Sequence, residues 1–84
     1  MSFEWDEDKR AANLEKHGVD FALAEQGDWQ EARTLSHMRD GEFRLRTYIR
    51  INERLHVIVW APRGGNKRII SLRKANRREQ AAHG

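Results

Sequence analysis

The residues best suited to chemistry in this sequence are arginines in its second half. Seven of them are candidates for a phosphate-binding surface: Arg44, Arg46, Arg50, Arg63, Arg68, Arg73 and Arg77. The first three alternate along one segment, and alternate residues of a β-strand point to the same face. A guanidinium group holds two phosphate oxygens at once, which suits it to a nucleic-acid backbone. Tyr48 shares the alternation, where an aromatic ring is available to stack on a base.

Metal-independent cleavage of RNA is chemistry that such a basic face supports. The 2′-hydroxyl attacks the adjacent phosphate, so the site needs a base, an acid and cations that stabilise the charge developing on phosphorus. We assign the stabilising cations to Arg63 and Arg73. The proton carriers available are Lys16, His17, Glu31, Glu42 and His56. His17 and Lys16 are the preferred catalytic candidates, because an apolar strand around His56 favours a structural role there.

The sequence gives little support to a metal or cofactor site. It has no cysteine, and its four histidines are far apart without zinc-motif spacing. The segment "RGGNKR" places two glycines beside cations, but a hairpin loop explains them as well. We therefore expect no metal and no cofactor.

Charge is distributed unevenly along the chain. Residues 1–42 carry a balance of −6 and residues 43–84 a balance of +9. Clustered charge of one sign attracts a polyanion. Three function classes stay open on the residues alone: a ribonuclease, a non-catalytic RNA- or DNA-binding module, and a subunit whose basic half docks an acidic protein.

Size and composition indicate one small domain over residues 1–84. No apolar run approaches the roughly 20 residues that cross a bilayer. The absence of cysteine suits a reducing compartment, so we expect a cytoplasmic protein without a membrane partner.

Local patterns predict an α+β fold that positions these side chains. Caps and stop residues predict helices over residues 6–17 and about 20–26. Strands are predicted at about 32–38, 43–51, 55–61 and 68–73, with a C-terminal helix over 74–83. Short connections between the strands, such as Asp40–Gly41, favour a three- to four-stranded antiparallel sheet with helices on one face.

Two segments, residues 3–24 and 55–80, resemble the BrnT family of bacterial toxins. The family pattern is found at Trp5–Asp6, Asn13, Lys16–His17–Gly18, Val19, Phe21, Arg68–Ala75 and Glu79. Residues 28–42 match the pattern least well. One difference lies at His83, where family members commonly have an aromatic residue, usually tyrosine.

The resemblance implies a RelE-like ribonuclease fold and metal-independent cleavage of mRNA. It also implies neutralisation by a BrnA-type ribbon-helix-helix antitoxin, in a complex that represses its own operon through the antitoxin's DNA binding. A two-fold antitoxin dimer then carries two toxin copies, which predicts a heterotetramer.

Overall fold

The structure, a computed structural model, describes residues 2–84. Its elements follow the chain as β1 (Phe3–Glu4), α1 (Glu7–His17), a 3₁₀ helix (Phe21–Gln26), β2 (Arg33–Arg39), β3 (Glu42–Ile51), β4 (Arg54–Arg63), β5 (Asn66–Lys74) and α2 (Arg77–His83). The α+β class predicted from the sequence is confirmed.

The strands form one five-stranded sheet in the order β1-β5-β4-β3-β2. Strands β2 to β5 are antiparallel, whereas β1 pairs with β5 in parallel. The sheet is therefore mixed, and the prediction of three to four antiparallel strands omitted β1. Two residues are too few to show an alternating pattern, so nothing in the local sequence marked this strand.

Tight turns connect the four antiparallel strands. Asp40–Gly41, Asn52–Glu53 and Gly64–Gly65 each have two successive positive φ angles. This combination defines a two-residue hairpin turn whose twist matches that of the strands. The turn at Gly64–Gly65 is shorter than the predicted loop of residues 62–67, because β4 and β5 continue to its edges.

Helix α1 begins and ends as its sequence predicts. Asp6 accepts hydrogen bonds from the amides of Asp8 and Lys9, and Gly18 ends the helix with φ of 71°. Gly27, after the 3₁₀ helix, has ordinary extended backbone but little space. A Cβ there would lie 2.6 Å from Ile49 Cδ1, so close packing rather than backbone conformation favours glycine.

The main core lies between one face of the sheet and the layer formed by α1 and the 3₁₀ helix. Nine residues form its buried cluster: Val19, Phe21, Ala24, Ile49, Ile51, Ile58, Trp60, Ile69 and Leu72. Phe3, Trp5 and Trp29 pack against the cluster at its margin. Burial of this apolar surface is the main source of stability in so small a chain.

Helix α2 lies against part of the opposite face of the sheet, which the prediction of helices on one face did not anticipate. A second, smaller cluster lies there and consists of Tyr48, Leu55, Val57 and Ala75. Helix α2 starts at Arg77 rather than at residue 74, since β5 extends to Lys74. Its N-terminus is a capping box, in which Asn76 and Glu79 each bond the other's backbone amide.

Candidate functional site

Strand register places the predicted arginines on the face of the sheet that carries α2. Tyr48 pairs with Val57, which pairs with Arg73, and Arg46 lies two residues before Tyr48 on the same strand. Alternation along β3 and β4, with the register shift between Val59 and Trp60 that pairs Ala61 with Arg68, puts six candidates on one face: Arg44, Arg46, Arg50, Arg63, Arg68 and Arg73. The sheet therefore has one strongly basic face.

The six arginines nevertheless divide between two ends of the sheet. Arg63 pairs with Asn66 at the first residue of β5, whereas Arg73 is seven residues farther along that strand. At 3.3 Å per residue the two positions are roughly 20 Å apart. One phosphate cannot contact both side chains, so the structure does not bring Arg63 and Arg73 together as a catalytic pair.

Arg68 lies at the same end of the sheet as Arg63, and its guanidinium already pairs with Glu4. Its Nη1 is 2.9 Å from Glu4 Oε2, and Asn66 donates to the other carboxylate oxygen at 3.0 Å. The hydrogen bonds from Asn66 and Arg68 lower the pKa of Glu4, so the carboxylate stays charged. Both side chains are about 30% exposed, and the ion pair fastens β1 to β5. A structural role therefore accounts for Arg68.

At the other end, Arg73 is held by a carboxylate that the site prediction left out. Its two terminal nitrogens lie 2.7 and 2.8 Å from the two oxygens of Glu79. These bonds outweigh the effect of burial and lower the pKa of Glu79 to about 2. The same carboxylate caps α2 by accepting from the amide of Asn76 at 2.9 Å. Glu79 thus fixes the plane of the Arg73 guanidinium and the start of α2 together.

His17 and Lys16 lie at the C-terminal end of α1, beside this pair. Burial lowers the pKa of His17, and the positive charges of Lys16 and Arg73 lower it further. The influence of Arg73 reflects the position of the imidazole near β5. A histidine with a lowered pKa is neutral at pH 7 and can accept a proton. The structure therefore brings together His17, Lys16 and Arg73 of the four predicted catalytic residues.

Tyr48 differs from the prediction that it is exposed for base stacking. It is only 7% exposed, because His83 of α2 stacks on it with ring centroids 3.7 Å apart and planes 17° apart.

The remaining arginines differ in their surroundings. Arg46 lies near Glu79, where its charge helps to lower the pKa of that carboxylate. Arg50 and Arg77 are exposed, and Arg44 pairs with Glu42 at 3.0 Å.

The sequence prediction missed or undervalued three residues in and around the site, namely Glu79, His83 and Asn13. The spacing Asn76–Glu79 is a capping-box pattern and could have placed Glu79 at the start of a helix. His56, by contrast, has the structural role that its apolar strand suggested: it is buried and bonds the carbonyl of Arg54. No local pattern could have revealed the His83–Tyr48 stack or the buried contacts of Asn13, since both join distant segments.

Comparison with known proteins identifies the family. The family model described as "Ribonuclease toxin, BrnT, of type II toxin-antitoxin system" matches residues 5–79. A crystal structure of the Brucella abortus ribonuclease toxin BrnT is similar at a TM-score of 0.77 and 31% sequence identity, covering 92% of this chain and 99% of that one. This chain belongs to the BrnT family of ribonuclease toxins. A search of curated proteins gives no match.

Family membership implies an antitoxin partner, because BrnT toxins belong to type II toxin–antitoxin systems. The matched range includes His17, Arg73 and Glu79 and ends before His83.

The RelE-like assignment of the fold stays a prediction. Within residues 2–84, no helix has the length and apolar character needed to cross a bilayer, and no three His, Asp or Glu side chains are grouped to hold a metal ion.

The Arg73–Glu79 pair should make stability depend on pH in acid. The pKa of Glu79 is about 2 in the folded chain and 4.5 in its ordinary state. Its stabilising contribution is therefore complete above about pH 4.5 and is lost as the pH falls toward 2. We expect Glu79→Gln to lower the free energy of unfolding by about 1–2 kcal/mol at pH 7, since the pair is partly exposed.

Urea unfolding at several pH values measures this difference. The gap between wild type and Glu79→Gln should shrink steadily below pH 4.5, while Glu15→Gln, an exposed control on α1, should match wild type throughout. A gap of equal size at pH 7 and pH 3 would contradict the assignment.

Proposed function

We propose that the chain is a metal-independent endoribonuclease that cleaves mRNA and thereby inhibits translation and growth. The single observation that carries the proposal is the position of His17 in the last turn of α1, where Asn13 bonds Leu72, the residue before Arg73. A neutral imidazole next to a guanidinium supplies a base and an anion-stabilising group at one phosphate. Family membership supports the same reaction class.

In the proposed mechanism, His17 accepts the proton of the 2′-hydroxyl as that oxygen attacks phosphorus. The 5′-oxygen leaves, with Lys16 as its proton donor, and the products are a 2′,3′-cyclic phosphate and a 5′-hydroxyl. Arg73 stabilises the charge that develops on the phosphoryl oxygens. Its contacts with Glu79 use one N–H from each terminal nitrogen, and a contact of 3.4 Å with the carbonyl of Lys74 uses the other N–H of Nη1, so Nε and one N–H of Nη2 remain for the substrate.

Glu79 neutralises much of the charge of Arg73, so the surrounding cations must supply the attractive field. Arg46 and Lys16 serve this purpose next to the proposed scissile phosphate. Arg44, Arg50 and Arg77 extend the path of the RNA backbone over the same side of the sheet. Arg63 lies too far away to act on that phosphate and is proposed to contact a more distant one.

A non-catalytic nucleic-acid-binding module is the second candidate. The ion pair between Arg73 and Glu79 favours this function, since an arginine already paired with a carboxylate has a structural role besides any contact with substrate. Salt-sensitive binding of RNA without cleavage would identify this function.

Cleavage of RNA by the purified protein, with and without EDTA, tests the proposal. We expect cleavage to survive the chelator and Arg73→Ala to lower its rate about 100- to 1,000-fold, the usual effect of removing one stabilising donor. Arg73→Lys should recover little of the rate, because it lacks the planar fork. Arg39→Ala, an exposed control at the end of β2, should cleave as wild type does. Wild-type rates in Arg73→Ala would reject its role, and no cleavage by wild type would reject the enzyme.

The pH dependence of cleavage tests His17. The rate should rise with pH as the imidazole deprotonates and level off with an apparent pKa below 6.5, because burial and two cations lower it. Removing one of those cations in Lys16→Gln should move this pKa upward, whatever the loss of rate. Lys9→Gln, an exposed change at the other end of α1, should leave it in place. Profiles of identical midpoint in all three proteins would exclude His17 as the titrating base.

The proposed partner is a BrnA-type ribbon-helix-helix antitoxin that covers the basic face with an acidic segment. Its ribbon-helix-helix part would dimerise and bind operator DNA, so that one dimer carries two toxins in a heterotetramer. The +9 balance of residues 43–84 gives such a segment its electrostatic attraction.

Association kinetics with the purified antitoxin measure this attraction. The association rate should fall as ionic strength rises, because screening removes steering, while apolar contacts keep the formed complex tight. An unchanged rate between low and high salt, or an antitoxin footprint confined to residues 1–42, would contradict the covering of the basic face. The ribonuclease assignment does not depend on this outcome.

A further inference from the structure

A separate pocket of about 260 Å³ opens beside the basic face, at the end of the sheet where β2 begins and β3 ends. Six side chains that line it matter here: Asp28, Glu31, Arg33, Tyr48, Arg50 and His83. Two of these residues are joined through the main chain, since the amide of Asp28 donates to the carbonyl of Arg50 at 3.1 Å. None of these residues belongs to the His17–Arg73 pair described above.

Three charged side chains of this pocket are unused by the fold. Within residues 2–84, the side chains of Glu31, Arg33 and Arg50 make neither a hydrogen bond nor an ion pair. Asp28 differs, because its Oδ1 accepts from the amide of Glu31 at 3.3 Å. The pocket therefore offers two free guanidinium groups and one free carboxylate.

The aromatic side of the pocket contains a further group without a partner in the described chain, the imidazole of His83. His83 stacks on Tyr48, and its Nδ1 is buried without a hydrogen-bond partner among the described residues. A buried polar atom without a partner is uncommon and costly. The ring of His83 also lines the pocket, which places this aromatic pair beside the free charges.

We propose that this pocket binds one nucleotide of the RNA, with a preference for guanine. The assignment rests on the proposed ribonuclease function and adds a base-reading subsite to it. Arg33 and Arg50 bind the phosphate, and the carboxylate of Glu31 accepts hydrogen bonds from the base edge. The stacked rings of Tyr48 and His83 form the apolar wall beside the base.

Guanine is favoured by the chemistry of the carboxylate. Its N1–H and N2–H groups are adjacent donors on one edge, so both oxygens of Glu31 can accept from it. Cytosine and adenine offer one amino donor next to a ring acceptor, and uracil offers one N–H between two carbonyl oxygens. A carboxylate is repelled by those acceptors, and it would also repel an acidic peptide.

Binding of non-cleavable oligonucleotides tests this subsite. The probes are four 2′-O-methyl heptamers, seven uridines with the central one kept or replaced by guanosine, cytidine or adenosine. Because the attacking 2′-hydroxyl is blocked, affinity is measured without cleavage, by fluorescence anisotropy. Wild type should bind the guanosine heptamer about tenfold more tightly than the all-uridine one.

The variant Glu31→Gln should reduce that ratio to within about twofold, and Glu25→Gln, an exposed carboxylate on the 3₁₀ helix, should preserve it. Arg50→Gln should weaken all four heptamers by a similar factor, because a phosphate contact carries no base information. An unchanged guanosine preference in Glu31→Gln overturns the subsite. So does an acidic heptapeptide that binds wild type more tightly than any heptamer and Glu31→Gln more tightly still, since it identifies a protein-docking site. Guanosine preference in a protein that cleaves no RNA supports the subsite and rejects the ribonuclease proposal instead.

Discussion

The buried side-chain amide of Asn13 joins helix α1 to strand β5. Its nitrogen donates to the carbonyls of Leu72 and Val19 at 2.7 and 3.1 Å, and its oxygen accepts from the amide of Leu72 at 3.2 Å. The amide thereby gives the outer edge of β5 the pairing that another strand would give. Since β1 pairs only with Lys67 and Arg68, the edge beyond it would otherwise present unpaired polar groups to a buried interface. One helical turn farther on, α1 places its last residue beside the end of β5, which is the reason His17 and Arg73 are neighbours.

Charged groups of the basic face are likewise satisfied by partners within the fold. Arg73 and Glu79 form a partly buried, bidentate pair whose mutual attraction offsets the desolvation cost that a lone cation would carry there. Orientation and field are consequently supplied by different residues: Glu79 orients the guanidinium, while Arg46 and Lys16 keep the surroundings positive. At the far end Glu4 neutralises Arg68 in the same way, and there the pair secures β1. Basic residues counted in a sequence therefore overstate the charge that a substrate meets.

Local features of the fold were predictable because adjacent residues determine them. Asp6 and Gly18 set the limits of α1, and the turn at Asp40–Gly41 set the first hairpin, through contacts or dihedral angles that involve only neighbouring positions. Alternation likewise placed the arginines of β3 on one face. Features that depend on distant partners were not predictable, including the pairing of β1, the side of the sheet that α2 covers and the burial of Tyr48. For the site, residue types indicated the chemistry, but only the register of β5 separated Arg63 from Arg73.

Helix α2 connects the stability of the domain to its proposed activity. It has seven residues and none of them is buried, so apolar packing of its own side chains contributes little to holding it in place. Its fixed points are the Asn76–Glu79 capping box, the bond between Glu79 and Arg73, and the stack of His83 on Tyr48. All three contacts involve residues of the candidate site or its adjoining pocket. Any substitution of Arg73 therefore alters the docking of α2 as well as the charge offered to phosphate. The exchange of Arg73 for lysine keeps a cation for Glu79 but loses the planar fork that bonds both of its oxygens, so it affects the docking of α2 and the binding of phosphate together.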